Sequence, residues 1–117
     1  QYNKPHKNIH QVKTDYKVSS VELFKSFFED ELSANTKYLD KVVEVRGRVQ
    51  DIQYNEEGLT LLLNGSVDGF GYVNCAINEK EKNKIKSITT GEYVLIKGIC
   101  TGYLMDVVVN KCVIKKI

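Results

Sequence analysis

Gly91, Val94, Ile96, Gly98, Cys100, Gly102, Asp106, Val107 and Cys112 form a spaced pattern in the second half of this chain. It reads as two strands joined by a short tight loop. It answers an earlier strand with its own glycine, Val42-Val43-Glu44-Val45-Arg46-Gly47-Arg48-Val49. Glycine on the inward phase of a strand marks a sharp bend or a close backbone approach. Together these segments point to a small, strongly curved barrel. They expose no reaction.

The periodicity supplies the remaining elements. Ser19-x-x-Glu22 has the form of a capping box and opens a helix. Phe24, Phe27, Phe28 and Leu32 then recur at helical spacing as one apolar stripe. Covering a barrel surface explains that stripe better than a ligand groove does. Asn35 is the expected bend, and Tyr38 and Leu39 close a second short helical piece. From Lys41 the period becomes two. Val43, Val45, Gly47 and Val49 face inward, and Glu44, Arg46, Arg48 and Gln50 face outward.

Asn55-Glu56-Glu57-Gly58 is a turn, with Gly58 suited to positive φ. Leu59 to Leu63 is the second strand, Asn64 to Gly71 a turn, and Gly71 to Ile77 the third strand. Asn78 to Ile88 is a charged connector that Ile85 and Ile88 anchor. The fourth strand runs from about Glu92 to Thr101 and the fifth from about Asp106 to Ile114.

The fold class is therefore mainly β. The expectation is a five-stranded OB-fold barrel preceded by an N-terminal α-helix, which plugs one end. An SH3-type barrel is second, because it has less use for so long a first strand.

The length of 117 residues suits one such domain. Residues 1–17 read as a flexible N-terminal tail and residues 18–117 as helix plus barrel. The net charge of +2 hides an asymmetry. The tail carries Lys4, Lys7, Lys13 and Lys17 against Asp15, leaving the rest at −1. A domain that holds a nucleic-acid backbone usually has a clear basic excess. The tail reads as a solvated leader rather than a binding arm. The chain starts at Gln1, so a signal or lipid anchor upstream stays open.

Cys75, Cys100 and Cys112 each fall on the apolar phase of a strand, where free cysteine acts as a small hydrophobe. No CxxC occurs, so a zinc knuckle is not expected. The histidines, His6 and His10, lie in the tail, away from any cysteine nucleophile. Cys112 is the natural partner of either other cysteine should a disulfide form. Asp106 is expected to accept backbone N–H groups in its turn. No P-loop, GxGxxG or HExxH is present. The expectation is no enzyme, no metal and no cofactor.

Binding is the stronger prospect. OB-folds bind with the face of strands two and three and the flanking loops. Tyr54, Tyr72, Asn74 and Tyr103 fall there, with Arg46, Arg48 and Lys97 on outward faces. Rings for stacking beside cations for phosphates are what single-stranded nucleic acid requires. The plain alternative is ordinary surface residues of a sheet, which strands favour anyway.

The sequence resembles the tRNA_anti-like family over about residues 20–114. The matching residues are Ala34-x3-Tyr38-x2-Lys41-x3-Val45-x-Gly47-x-Val49, then Cys75. Gly91-x2-Val94-x-Ile96-x-Gly98-x-Cys100-x-Gly102 and Asp106-Val107-x4-Cys112 complete the set. The resemblance implies a helix-preceded OB barrel in a bacterial lipoprotein at the cell envelope, with nucleic acid as nominal ligand. The cytoplasm stays open. Tyr38, Lys41, Gly47, Gly98 and Cys112 read as framework within it. The competing reading is an envelope module that binds a protein or a glycan through the same face or a strand edge.

Overall fold

The computed structural model describes residues 12–55, 58–66 and 71–116. Residues 1–11 of the expected tail over residues 1–17, with His6 and His10, lie outside the described residues, as do Glu56 and Glu57 of the first turn and residues 67–70 of the second.

Among the described residues, six strands form one sheet. They are β1 (Tyr16–Ser19), β2 (Val42–Asn55), β3 (Gly58–Asn64), β4 (Tyr72–Ile77), β5 (Tyr93–Leu104) and β6 (Asp106–Lys116). The order is β1-β2-β3-β4-β6-β5, and β5 returns to pair with β2. That return closes β2 to β6 into a five-stranded barrel. The β4–β6 seam is parallel, while the other barrel seams are antiparallel. This is the OB-fold.

The strand alternation holds where it was readable. In β4, Val73, Cys75 and Ile77 point inward while Tyr72, Asn74 and Ala76 alternate outward. Gly58 has φ 143°, as its place in the turn requires. β2 runs up to the expected turn at Asn55, and a bulge interrupts its pairing on the way. Val49 pairs with Leu63 and Asp51 with Leu62, so Gln50 is the extra residue. The insertion resets the alternation, and Ile52 returns to the inward phase opposite Leu61.

Gly47 lies where α1 (Ser20–Glu29) meets the barrel. A Cβ there would stand 2.3 Å from Ser20 Oγ and 3.2 Å from Leu63 Cβ. The glycine permits a close approach of helix to strand. Ser19 caps α1, its hydroxyl accepting the Glu22 N–H at 3.1 Å. Leu23, Phe24 and Phe27 fill one end of the barrel.

The apolar stripe is shorter than its spacing implied. Phe28 is 58% exposed and Leu32 80% exposed. The helix breaks at Asp30 (φ −155°, ψ 85°), not at Asn35. Asp30 caps α2 (Glu31–Tyr38), its carboxylate accepting the Ser33 N–H and hydroxyl. Those bonds favour the charged carboxylate and lower its pKa. The break turns Leu32 out of register with the buried face of α1.

β1 takes in Tyr16 and Lys17, which the sequence placed in the leader. It runs parallel to β2, with Tyr16 opposite Val43 and Ser19 opposite Arg46. Asp15 grips the start of β2 twice. Its N–H donates to the Val42 carbonyl at 2.8 Å, and its carboxylate accepts the Val42 N–H at 2.9 Å.

The charged connector becomes a helical turn, Glu79–Glu81, running into α3 (Lys82–Ile85). Ile85 and Ile88 are buried as their spacing predicts. The sequence did not predict a buried Glu81. Its carboxylate accepts the Ile114 N–H at 2.9 Å and the Lys84 ammonium at 3.0 Å. Buried carboxylates need such partners.

Candidate nucleic-acid interface

Period two decides which β2 residues reach solvent. With Val43, Val45, Gly47 and Val49 inside, Arg46 and Arg48 point outward and are exposed. This stretch of β2 pairs with β5, placing Arg46 opposite Leu95 and Arg48 opposite Tyr93. Residues directly opposite in an antiparallel pair have Cβ atoms about 5 Å apart. Tyr93 is 65% exposed. On the other side of β2, the exposed Lys17 of β1 shares this outer face opposite Glu44. Among the described residues, neither Arg46 nor Arg48 is held by a carboxylate.

Lys97 is not an open cation. It is 4% exposed, and its ammonium donates to the Val12 carbonyl. It keeps the outward phase that was expected, opposite Glu44 and Val113. Residues 12–15, however, cross this part of the wall. Thr14 donates to the Glu44 carboxylate in the same crossing. A basic side chain under such a strap packs its stem and spends its charge on a carbonyl.

The four remaining residues do not join the arginines. Tyr72 and Asn74 lie half-buried on β4, between β3 and β6. The Tyr72 N–H donates to the Asp106 carboxylate at 3.1 Å. Asp106 therefore ties β6 to β4 rather than capping its own turn. Tyr54 is 72% exposed near the tip of the β2–β3 hairpin, opposite Leu59. Tyr103 belongs to β5 rather than to a loop. Its ring stacks on Phe27 at 5.7 Å and meets the edge of Phe24 at 6.0 Å. That ring serves the packing of α1.

The expected single face is therefore two walls. One, made by β1, β2 and β5, carries Lys17, Arg46, Arg48 and Tyr93. The other, made by β3 and β4, presents Thr60, Leu62, Asn64, Tyr72, Asn74 and Ala76, none of them basic. Tyr93 escaped the sequence reading, although its outward phase beside Val94 was visible. Only the β2–β5 register sets it against Arg48.

The interior offers little chemistry. Cys75, Cys100 and Cys112 are buried, as their phase predicts, and all three are free thiols. Burial pushes the Cys100 thiol up to about 11. Burial, and then the neighbouring Cys75, raise Cys112 as well. Both thiols are thus held protonated and poorly nucleophilic. A depression of about 110 Å³ lined by Leu59, Ile77, Glu79 and Lys82 falls below the roughly 300 Å³ at which small-molecule sites begin. Among the described residues, no three His, Cys, Asp or Glu side chains gather to hold a metal ion.

Comparison with known proteins agrees with this architecture. The profile of the tRNA_anti-like family matches residues 1–114. A lipoprotein of Klebsiella pneumoniae subsp. pneumoniae, named for a proposed nucleic-acid-binding role, superposes with a TM-score of 0.70 at 16% identity. That match covers 86% of this chain and 91% of that one. The Schizosaccharomyces pombe Stn1–Ten1 complex matches at TM-score 0.52 and 11% identity, over 65% of this chain and 57% of that one. A Leishmania major protein assigned as an aspartyl-tRNA synthetase matches at TM-score 0.56 and 17% identity. It covers 97% of this chain, which spans only 23% of that one. At these identities the structures share the fold. No curated protein matches the chain significantly.

Proposed function

This chain belongs to the tRNA_anti-like family, and from that premise we propose that it is a non-catalytic OB-fold module that binds single-stranded nucleic acid. The observation that carries this reading is the pair of exposed guanidinium groups, Arg46 and Arg48, unengaged by any carboxylate among the described residues. Arginine presents a planar fork of donors that matches phosphate oxygens. Held two residues apart on one strand, two such groups can follow successive phosphates of a single strand. The names of the Klebsiella lipoprotein and of the Leishmania synthetase accord with a nucleic-acid ligand. A place at the bacterial cell envelope is part of the proposal and leans on the lipoprotein alone.

The test is a fluorescence-anisotropy titration with labelled single-stranded DNA and RNA at low and moderate salt. Micromolar or tighter binding that weakens with salt is the expected result, because displaced counterions drive such association. No binding at low salt sinks the reading and returns the search to envelope proteins and glycans.

A further inference from the structure

The β3–β4 face is where OB barrels commonly take their ligands. Here its outward side chains include no base, and Asp51 and Asp106 flank it on the neighbouring strands. Among the described residues, a polyanion would meet no cation on β3 or β4 themselves, and the exposed Lys111 of β6 stands singly at the edge of the face, beside Ala76. The β1–β2–β5 wall has the opposite character. Arg48 and Tyr93 are direct cross-strand partners, and Arg46 lies two residues along, opposite Leu95. Lys17 extends the row onto β1. The carboxylate on this wall, Glu44, accepts from Thr14 of the crossing segment.

We infer that a single strand lies along the β1–β2–β5 wall, its backbone on Lys17, Arg46 and Arg48 and one base on the Tyr93 ring. This rests on the nucleic-acid reading and assigns it a face. Charge complementarity chooses the wall, since the basic side chains and the open ring coincide there. The sheet supplies the geometry. Outward side chains on one strand recur every second residue, about 7 Å apart, close to the spacing of phosphates in an extended single strand. Tyr93 stands beside that row, within reach of a base turned away from the backbone. β1 is therefore part of the binding surface, not only a cover for the barrel edge.

The test compares variants in the same titration. Tyr93→Ala weakens binding about 5- to 150-fold, the range for losing one base–aromatic stack. Arg46→Gln with Arg48→Gln lowers the dependence of log K on log salt by about 0.7 for each phosphate no longer neutralised. Lys17→Gln lowers it by a similar single step. All four side chains are exposed, so the variants keep the wild-type melting temperature, which is measured alongside. Tyr72→Ala with Asn74→Ala, on the other wall, leaves the affinity of the folded variant within about twofold, because sites that share no partners are nearly independent. Wild-type binding that survives the Tyr93 and arginine variants overturns the wall assignment and leaves the nucleic-acid reading standing. Absence of wild-type binding overturns both.

Discussion

Gly47 of β2 and Ser20 of α1 share a space that admits only one side chain. A Cβ on Gly47 would fall 2.3 Å from Ser20 Oγ and 2.8 Å from Ser20 Cβ. Ser20 is buried and follows the cap residue, so it has no room to retreat. Gly47→Ala should push α1 off the barrel end and cost about 1–3 kcal/mol, as overpacking does. Chemical denaturation reads the loss. A melt unchanged from wild type would mean that the helix end tolerates displacement.

Glu81 stands in for a missing strand partner at Ile114. Its carboxylate accepts the Ile114 N–H at 2.9 Å. Lys84 joins Glu81 and the Ile114 carbonyl, at 3.0 and 3.3 Å. Glu81→Ala strands a buried N–H and should destabilise by about 1–3 kcal/mol. Glu81→Gln retains an acceptor and should lose clearly less. Equal losses for the two variants would show that packing, not the hydrogen bond, matters at this position.

The buried thiols predict a pH response. Cys100 is raised from 9.0 to about 11 in the folded chain by burial. Its folded pKa therefore lies above the unfolded one. The stability it contributes is complete below pH 9 and is lost as pH rises through about 11. The melting temperature should fall across that window, and less so in Cys100→Ala. Native protein at neutral pH should resist alkylation by iodoacetamide until denaturant is added. Rapid labelling of the native state would contradict the burial.

Asp15 holds β1 against β2 through both backbone groups of Val42. Asp15→Ala removes the acceptor for the Val42 N–H, a loss of about 0.5–1.5 kcal/mol if the site wets and more if it stays dry. Amide exchange at Val42 should accelerate while that at Val45, deeper in the barrel, stays slow. Unchanged exchange at Val42 would show that the backbone bond alone secures the strand.

The regular parts of this fold were legible. Alternation in β2 and β4, the Ser19 cap and the Ile85–Ile88 anchor all follow from local chemistry. The departures share a cause, which is that one residue or one partner changes a period. The bulge at Gln50 breaks the two-residue pattern, so the phase read up to Val49 does not carry on to Asp51 and Ile52. Asn35 is the expected bend, yet the helix breaks at Asp30, whose carboxylate starts a new one. Lys97 sits on the expected strand and Tyr103 beyond its expected end, and both are claimed by segments distant in sequence, Val12 and Phe27. Tyr93 gains meaning only from its neighbour on β2. Period can be read along a chain, while register and cover come from elsewhere in it.

The extra residue at Gln50 also divides one strand into two independent instruments. Before it, β2 is held by β5 and displays Arg46 and Arg48. After it, β2 is held by β3 and turns Ile52 back toward the core. Removing that residue would leave strict alternation across the join, with Asp51 still opposite Leu62 and Ile52 still inward opposite Leu61, while the arginines keep their places. The hairpin beyond Gln50 can thus be lengthened, shortened or redecorated without disturbing the arginine wall, and the wall can be changed without disturbing the hairpin.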